Sequence, residues 1–346
     1  MNIFRVPDWK PNTDHQVRKQ RAQMLHDIRA FFYERDVLEV ETPALSQAAN
    51  TDPYIESFQT NDNACPRFLH TSPEYPMKRL LASGSGDIYQ IAKVWRQAEL
   101  GANHNPEFSL LEWYRVGFSY QQLIQEVDLL LSSLLSKIIH KPSLIVSYQQ
   151  LFLEKLNINP HTINHAKLMA CVHTSISGFD LDYLNDLSIQ DLLDLLLTHC
   201  IEPDFKTDKL TFVIDYPVTQ SALAMIGKSK FDKDLSSNNQ NIAMRFEVYF
   251  GDLELGNGYQ ELIDYDGNCQ VLKSENKIRD NVRQKTQQLN KQTEIKTVPE
   301  DTLFLEAIKN GLPECAGVAI GLDRVLMAIT GKDNIKQVIN FPWDKA

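Results

Sequence analysis

The sequence predicts an α+β fold, an antiparallel sheet with helices grouped around it. Three observations carry that prediction. Residues 88–97 and 107–116 are two β-rich runs joined by a link of turn formers, the pattern of a long antiparallel hairpin. Leu210 to Tyr216 and Met244 to Phe250 are further short β-rich runs. Gly317 to Thr330 passes from a small-residue strand into a helix.

Taken in chain order, residues 15–35 read as an amphipathic helix. Val17, Met24, Leu25, Ile28, Phe31 and Phe32 fall near one face, while Arg18, Lys19, Arg29 and Glu34 lie largely elsewhere. Asp36 ends it, at a place where a left-handed residue is common. Val37 to Glu41 alternates like a strand, and Thr42-Pro43 closes it because proline cannot continue a central ladder. Ser83-Gly84-Ser85-Gly86-Asp87 leads into a strand and reads as a plain turn. Residues 120–139 form a Leu-rich helix, 147–205 are mostly helical with loops, and 271–291 are a polar helix facing solvent. No internal repeat or low-complexity linker interrupts the chain.

The 346 residues are 43% hydrophobic and 23% charged, enough for a substantial core in one large domain or two ordinary ones. No run of about eighteen apolar residues is present, so no membrane span is expected. The first fourteen residues, MNIFRVPDWKPNTD, lack the apolar core of a signal peptide, and a soluble cytoplasmic protein is the expectation. Net charge is −10. A general tRNA-binding surface usually carries a basic bias, so the balance argues against one without excluding a local patch. Cys65, Cys171, Cys200, Cys269 and Cys315 are odd in number and form no C-x-x-C pair. Buried, inert thiols are expected rather than a zinc site or a disulfide framework.

Four stretches carry possible chemistry. Arg96 sits at the end of the first hairpin strand, with His104 and Asn105 in the loop and Glu107 and Glu112 on the return strand. A guanidinium fork matches phosphate oxygens, although a surface Arg–Glu pair explains the same residues. In Gly317 to Arg324 (GVAIGLDR) small residues let a ligand approach the backbone and Arg324 stands at a helix start. Tight strand-to-helix packing is the plainer account. Glu254 to Glu261 (ELGNGYQE) reads as a Gly-rich turn flanked by two carboxylates that suit magnesium, or as a hairpin turn with solvated acids. Thr71 to Tyr75 (TSPEY) places an acid after Ser-Pro, where it can face an ammonium group. Ala222 to Ser229 (ALAMIGKS) nearly spells a phosphate-binding P-loop, but Ala222 stands where that loop needs glycine.

Each stretch alone is weak; in this order they resemble the three signature motifs of class II aminoacyl-tRNA synthetases. Residues 31–45 (FFYERDVLEVETPAL) look like motif 1 around Pro43, 95–116 (WRQAELGANHNPEFSLLEWYRV) like motif 2, and 317–328 (GVAIGLDRVLMA) like motif 3. H-N-P-E-F, T-S-P-E and E-L-G-N-G-Y-Q-E are similar to the lysyl branch. Within that branch the chain resembles the shortened ligases that attach (R)-β-lysine to elongation factor P. The likeness runs from about residue 15 to the C-terminus, dense at 20–120 and 244–346 and sparse at 140–240. Motif 1 begins near the N-terminus, L-L-E-W-Y-R at 110–115 is similar to the ligase motif 2, and Ala319 replaces a glycine usual in lysyl-tRNA synthetases.

That resemblance implies one class II catalytic domain over 1–346, an antiparallel sheet flanked by helices. It implies a mostly helical stretch at about 140–240 and no anticodon-binding domain. It implies ATP as co-substrate, Mg²⁺, lysine or (R)-β-lysine as amino acid, elongation factor P as protein substrate instead of tRNA, and a homodimer built around motif 1. Arg96, on the α-phosphate, and Arg324 are the implied catalytic residues. Gln97, Ala98, Glu99, His104, Asn105, Glu254, Leu255 and Gly321 join them around ATP. Ser72, Pro73, Glu74, Tyr114 and Glu261 match the amino-acid pocket, and Glu254 with Glu261 is the expected magnesium pair. Motif 2 usually reads Arg-x-Glu, but here the third place is Ala98 and Glu99 follows. Either Glu99 serves after a strand shift or backbone groups read adenine. A stand-alone lysyl-tRNA synthetase and a catalytically silent paralogue acting as a binding subunit are the competing readings.

Overall fold

The computed structural model describes residues 9–60, 66–231, 240–290 and 299–346; the first eight residues and Cys65 lie outside it. Helix α1 (His15–Tyr33) starts where the Asp14 carboxylate accepts the Val17 amide, and it buries Val17, Met24, Ile28 and Phe32. Asp36 adopts the left-handed conformation expected of it (φ 54°) and turns the chain into the short strand β1 (Leu38–Glu39). A small ribbon, β2 (Leu45–Ser46) with β3 (Phe68–Leu69), precedes α2 (Glu74–Ala82). The turn at 83–87 holds Gly84 and Gly86 at positive φ and leads into β4 (Ile88–Trp95). The predicted hairpin is completed by β5 (Glu107–Val116), in antiparallel register from Ile88↔Tyr114 to Trp95↔Glu107.

Helix α3 (Tyr120–Leu134) opens on a Ser119–Gln122 capping box and ends five residues short of its expected limit. The helical stretch follows: β6 (Leu144–Ser147), then α4 (Tyr148–Leu156), α5 (His165–Ser175), α6 (Leu181–Asn185) and α7 (Ile189–Leu196). Ser147, Asn164, Asp180 and Ser188 cap these four helices in turn. Strands β7 (Leu210–Tyr216), β8 (Ile226–Lys228), β9 (Asn241–Phe250) and β10 (Leu253–Gln260) come next. Because Ile226–Lys228 is a strand, where a P-loop needs a phosphate-cradling turn, ALAMIGKS is not a P-loop. The chain closes with α8 (Tyr265–Asn290), α9 (Thr302–Gly311), β11 (Cys315–Gly321) and α10 (Leu322–Thr330). The polar helix begins six residues before its expected start, and it is not wholly solvent-facing: Asn268, Leu272 and Arg279 are buried.

Among the described residues the main sheet has nine strands in the order β1-β4-β5-β11-β10-β9-β7-β6, with β8 on β9. Its long central strands are antiparallel as expected, but β1 on β4 and β6 on β7 are parallel, so the sheet is mixed. One segment departs from expectation outright. Glu254 to Glu261 is not a turn; it is strand β10 and the residue after it, in the middle of the sheet. Its glycines serve close packing. A Cβ on Gly256 would stand 2.2 Å from the Ala319 carbonyl, and one on Gly258 would stand 2.5 Å from the Phe246 ring. The turn before it is made by Gly251 at φ 60°.

Helices α1, α3 and α10 cover the sheet over a core that includes Phe32, Trp113, Leu130, Val248 and Leu326. Helices α4 to α7 pack a second core, with Phe152, Leu168, Leu193 and Leu196, against Val213 and Tyr249 of the sheet. A third, with Tyr75, Leu272 and Phe304, joins α2, α8 and α9. No helix among the described residues is long and apolar enough to cross a membrane. Cys171, Cys200, Cys269 and Cys315 are free thiols. Only Cys315 is buried, where burial pushes its thiol well above the ordinary range; the other three are half-buried, contrary to expectation.

Candidate active site

The hairpin β4–β5 and the strand-to-helix passage β11–α10 stand side by side, because β5 pairs with β11 along its length. That pairing brings Arg96 and Arg324, 228 positions apart in the chain, to the walls of one cavity of about 250 Å³. Glu99, His104, Asn105, Glu254, Leu255 and Gly321 line it too. Gln97 and Ala98 do not. Gln97 is exposed, its backbone paired with Glu56, and Ala98 is exposed in a left-handed conformation (φ 66°). That residue turns the chain so that Glu99, not Ala98, faces inward, 3.5 Å from the Arg96 guanidinium. Phe108, absent from the expected set, adds an aromatic wall, with Arg96 5.0 Å from its ring centre.

Arg324 is held at three points. Its Nη1 donates to the Glu254 carbonyl (2.8 Å), its Nε to the Asn103 carbonyl (3.3 Å), and its Nη2 to His104 Nε2 (2.7 Å). The last contact requires His104 to accept, so the ring is neutral. Burial and the Arg324 charge lower its pKa in the same sense. Its neighbour Asp323 pins the start of α10: its carboxylate accepts the Ser109 amide of β5 and pairs with Arg21 of α1. Asn105 donates one amide hydrogen to the Glu107 carbonyl and accepts the Trp343 amide, which sets the loop.

A second cavity of about 100 Å³ adjoins the first, and Arg96, Asn257 and Ala319 line both. Of the expected amino-acid residues, Ser72, Glu74, Tyr114 and Glu261 line it. Pro73 does not; it is buried at the N-terminus of α2. Two unpredicted residues organise this cavity. Glu112 accepts from Ser72 Oγ (2.6 Å) and Tyr114 Oη (2.8 Å), and burial with the nearby Glu74 carboxylate pushes it up to about 8. Lys78, fully buried, donates to Glu74 (2.7 Å) and lies 2.6 Å from Glu261. Burial pulls its ammonium down, but Glu261 and Glu74 outweigh that and hold it above its ordinary value. Burial pushes Glu261 up to about 7 against the pull of Lys78. Asp52 is a fourth acid on the wall. With Glu112 holding its proton up to about 8, three carboxylates stand against the Arg96 guanidinium and the Lys78 ammonium, a deficit of cation that a bound ammonium relieves. Glu112 was visible as an acid inside the apolar run LLEWY; Lys78 was visible only as a polar position four residues after Glu74.

Glu254 and Glu261 do not form the expected magnesium pair. Glu254 and Glu261 stand at opposite ends of β10, seven residues and so about 23 Å apart along an extended strand. One lines the first cavity and the other the second. No group of three or more potential ligands exists among the described residues. Glu254 instead lies 3.3 Å from Arg324, and burial together with the Glu247 carboxylate pushes it upward. Glu247 itself is paired with Arg245 and accepts from Tyr216 and Tyr249.

Residues 4–345 match the family model described as tRNA synthetases class II (D, K and N). The chain is 39% identical to a Pectobacterium atrosepticum protein named elongation factor P–(R)-β-lysine ligase, over 98% of each chain. A Pseudoalteromonas translucida protein of the same name is 38% identical over 98% of each. One from Buchnera aphidicola subsp. Acyrthosiphon pisum is 39% identical over 97% of this chain and 98% of its own.

Proposed function

The chain belongs to the class II tRNA synthetases (D, K and N), and from that premise we propose that it activates (R)-β-lysine with ATP and transfers the acyl group to a lysine side chain of elongation factor P, the substrate in its relatives' name. One observation carries the reading. Arg96 stands at the boundary between a cavity with two guanidiniums and a cavity rich in carboxylates. A triphosphate in the first and a diamino acid in the second meet at that side chain.

A substrate carboxylate oxygen attacks the α-phosphorus of ATP, and the bond to pyrophosphate breaks. The nucleophile is already ionised at neutral pH, so no general base is required and positioning with charge neutralisation does the work. Arg96 faces the α-phosphate and Arg324, steadied by His104 and the Glu254 carbonyl, faces the outer phosphates. Glu254 is the residue suited to a magnesium ion, because its carboxylate lines the phosphate-side cavity beside Arg324. When bound, the ion neutralises phosphate charge. The Glu112–Ser72–Tyr114 cluster and the Glu74–Lys78–Glu261 chain hold the two substrate ammonium groups. The inward turn of Glu99 supports a working site over a silent paralogue, since it keeps a carboxylate on the cavity wall beside Arg96 although Ala98 supplies none.

The test is amino-acid-dependent exchange between pyrophosphate and ATP, run with (R)-β-lysine and α-lysine, followed by mass spectrometry of elongation factor P. Exchange, and a protein heavier by one lysyl unit, are expected, with (R)-β-lysine preferred and no charging of tRNA. Absence of exchange with both isomers would overturn the reading. We place this activity in the cytoplasm and in a homodimer. Tyr33 and Leu38 leave apolar surface exposed beside the edge strand β1, which supports a dimer built around that edge. A light-scattering mass of twice the chain is expected, and a monomeric mass at micromolar concentration would remove the dimer.

A further inference from the structure

Behind the amino-acid cavity lies a third, of about 380 Å³, walled by the loop at 52–54, the segment 218–222 and the face of α8. Asp52 and Tyr259 line both the second and the third cavity. Asn257, on the central strand β10, lines all three. The charged side chains on the third cavity are Asp52, Glu275 and Arg245. Arg245 is neutralised by Glu247, and Glu275 accepts from Thr51 Oγ1, so the excess charge facing the space is negative. The outer mouth carries Val218, Ser274 and Ile278, all exposed.

Resting on the function proposed above, we propose that the third cavity is the channel through which the acceptor's primary amine reaches the acyl-adenylate. Aminolysis needs three groups at one carbon: the departing nucleotide, the acyl chain and the incoming nitrogen. Three cavities meeting at Asn257 provide that arrangement, and the first two are taken by nucleotide and amino acid. An acidic wall draws in a lysine ammonium, and because only the neutral amine is nucleophilic a wall carboxylate must then accept a proton from it. The ammonium gives one proton to a wall carboxylate, Asp52 or Glu275, and its nitrogen attacks the acyl carbon. The carbon–nitrogen bond forms, the bond from that carbon to the phosphate oxygen breaks, and AMP leaves with the electron pair. A second proton passes from nitrogen to solvent, leaving an amide.

The test is Ser274→Trp, which narrows the mouth from an exposed position on α8, far from both arginines in the chain. Pyrophosphate exchange should stay within twofold of the unaltered protein, and so should capture of the adenylate by hydroxylamine, a small amine. Transfer to elongation factor P should fall tenfold or more, while Ser274→Ala leaves it unchanged. Transfer unaffected by Ser274→Trp would overturn the channel, and so would exchange falling by the same factor as transfer. Unaltered protein that shows no exchange would instead sink the proposed function, so the two failures are distinguishable.

Discussion

Glu112 shows how much a single buried carboxyl decides. It keeps a proton up to about 8 in the fold, against an ordinary value of 4.5, because burial and Glu74 disfavour its charge. An unfolded chain loses that proton near the ordinary value, so the native state binds more protons between the two and loses stability as pH rises through that window. Glu112→Gln removes the penalty. Its melting temperature at pH 8 should rise by about 2 °C or more, with the gain vanishing near pH 4.5. The same variant should lose lysine-dependent exchange about a hundredfold, because an ammonium bound beside Glu112 draws off its proton and pairs with the carboxylate, and an amide has no such proton to give up. Calorimetry and exchange at the two pH values check this, and a variant less stable at pH 8 than at pH 4.5, relative to wild type, contradicts it. The residue types of the site were legible: Arg96, Arg324, Glu74 and Tyr114 were all expected, and each lines a cavity. Lys78 was not, since a lysine in a helix gives no sign in sequence that its head is buried between two acids.

Among the elements, β11 and β10 carry the site and differed in legibility. The passage from β11 into α10 was plain from small residues followed by helical periodicity. In sequence, strand β10 looks like a turn because glycine serves two purposes, freedom at positive φ and close approach of neighbouring backbones. Only the second applies at Gly256 and Gly258. The same constraint yields a prediction at Gly317. A Cβ there would lie 2.4 Å from the Tyr114 ring and 2.5 Å from Glu261 Oε1, in the wall of the amino-acid cavity. Gly317→Ala should raise KM for the amino acid tenfold or more and leave KM for ATP within about twofold. Steady-state exchange kinetics decide; equal rises in both constants would show that β11 acts on the whole sheet and not on one cavity.

At the scale of the molecule, the nucleotide and amino-acid cavities take no residue from 144–204, the stretch that forms β6, α4 to α7 and their own core. Stability and first-step activity should therefore separate there. Leu168→Ala, at a fully buried site on α5, should cost about 2–5 kcal/mol of folding free energy. Both KM values of the folded fraction should stay unchanged. A denaturation curve paired with exchange kinetics tests this, and a shift in either KM would tie the helical stretch to the site.

By itself the sequence determined what depends on neighbours in the chain. Helix faces, caps, the β4–β5 hairpin and the left-handed Asp36 follow from periodicity and local sterics within a few residues. Tertiary structure alone decided which acids share a cavity. Glu254 and Glu261 are close in sequence yet an extended strand drives them to different cavities, while Arg96 and Arg324 are distant in sequence yet β5 and β11 bring them together. Burial and pairing, which set the charge of Glu112, Glu261 and Lys78, are properties of those long-range contacts and have no counterpart in residue order.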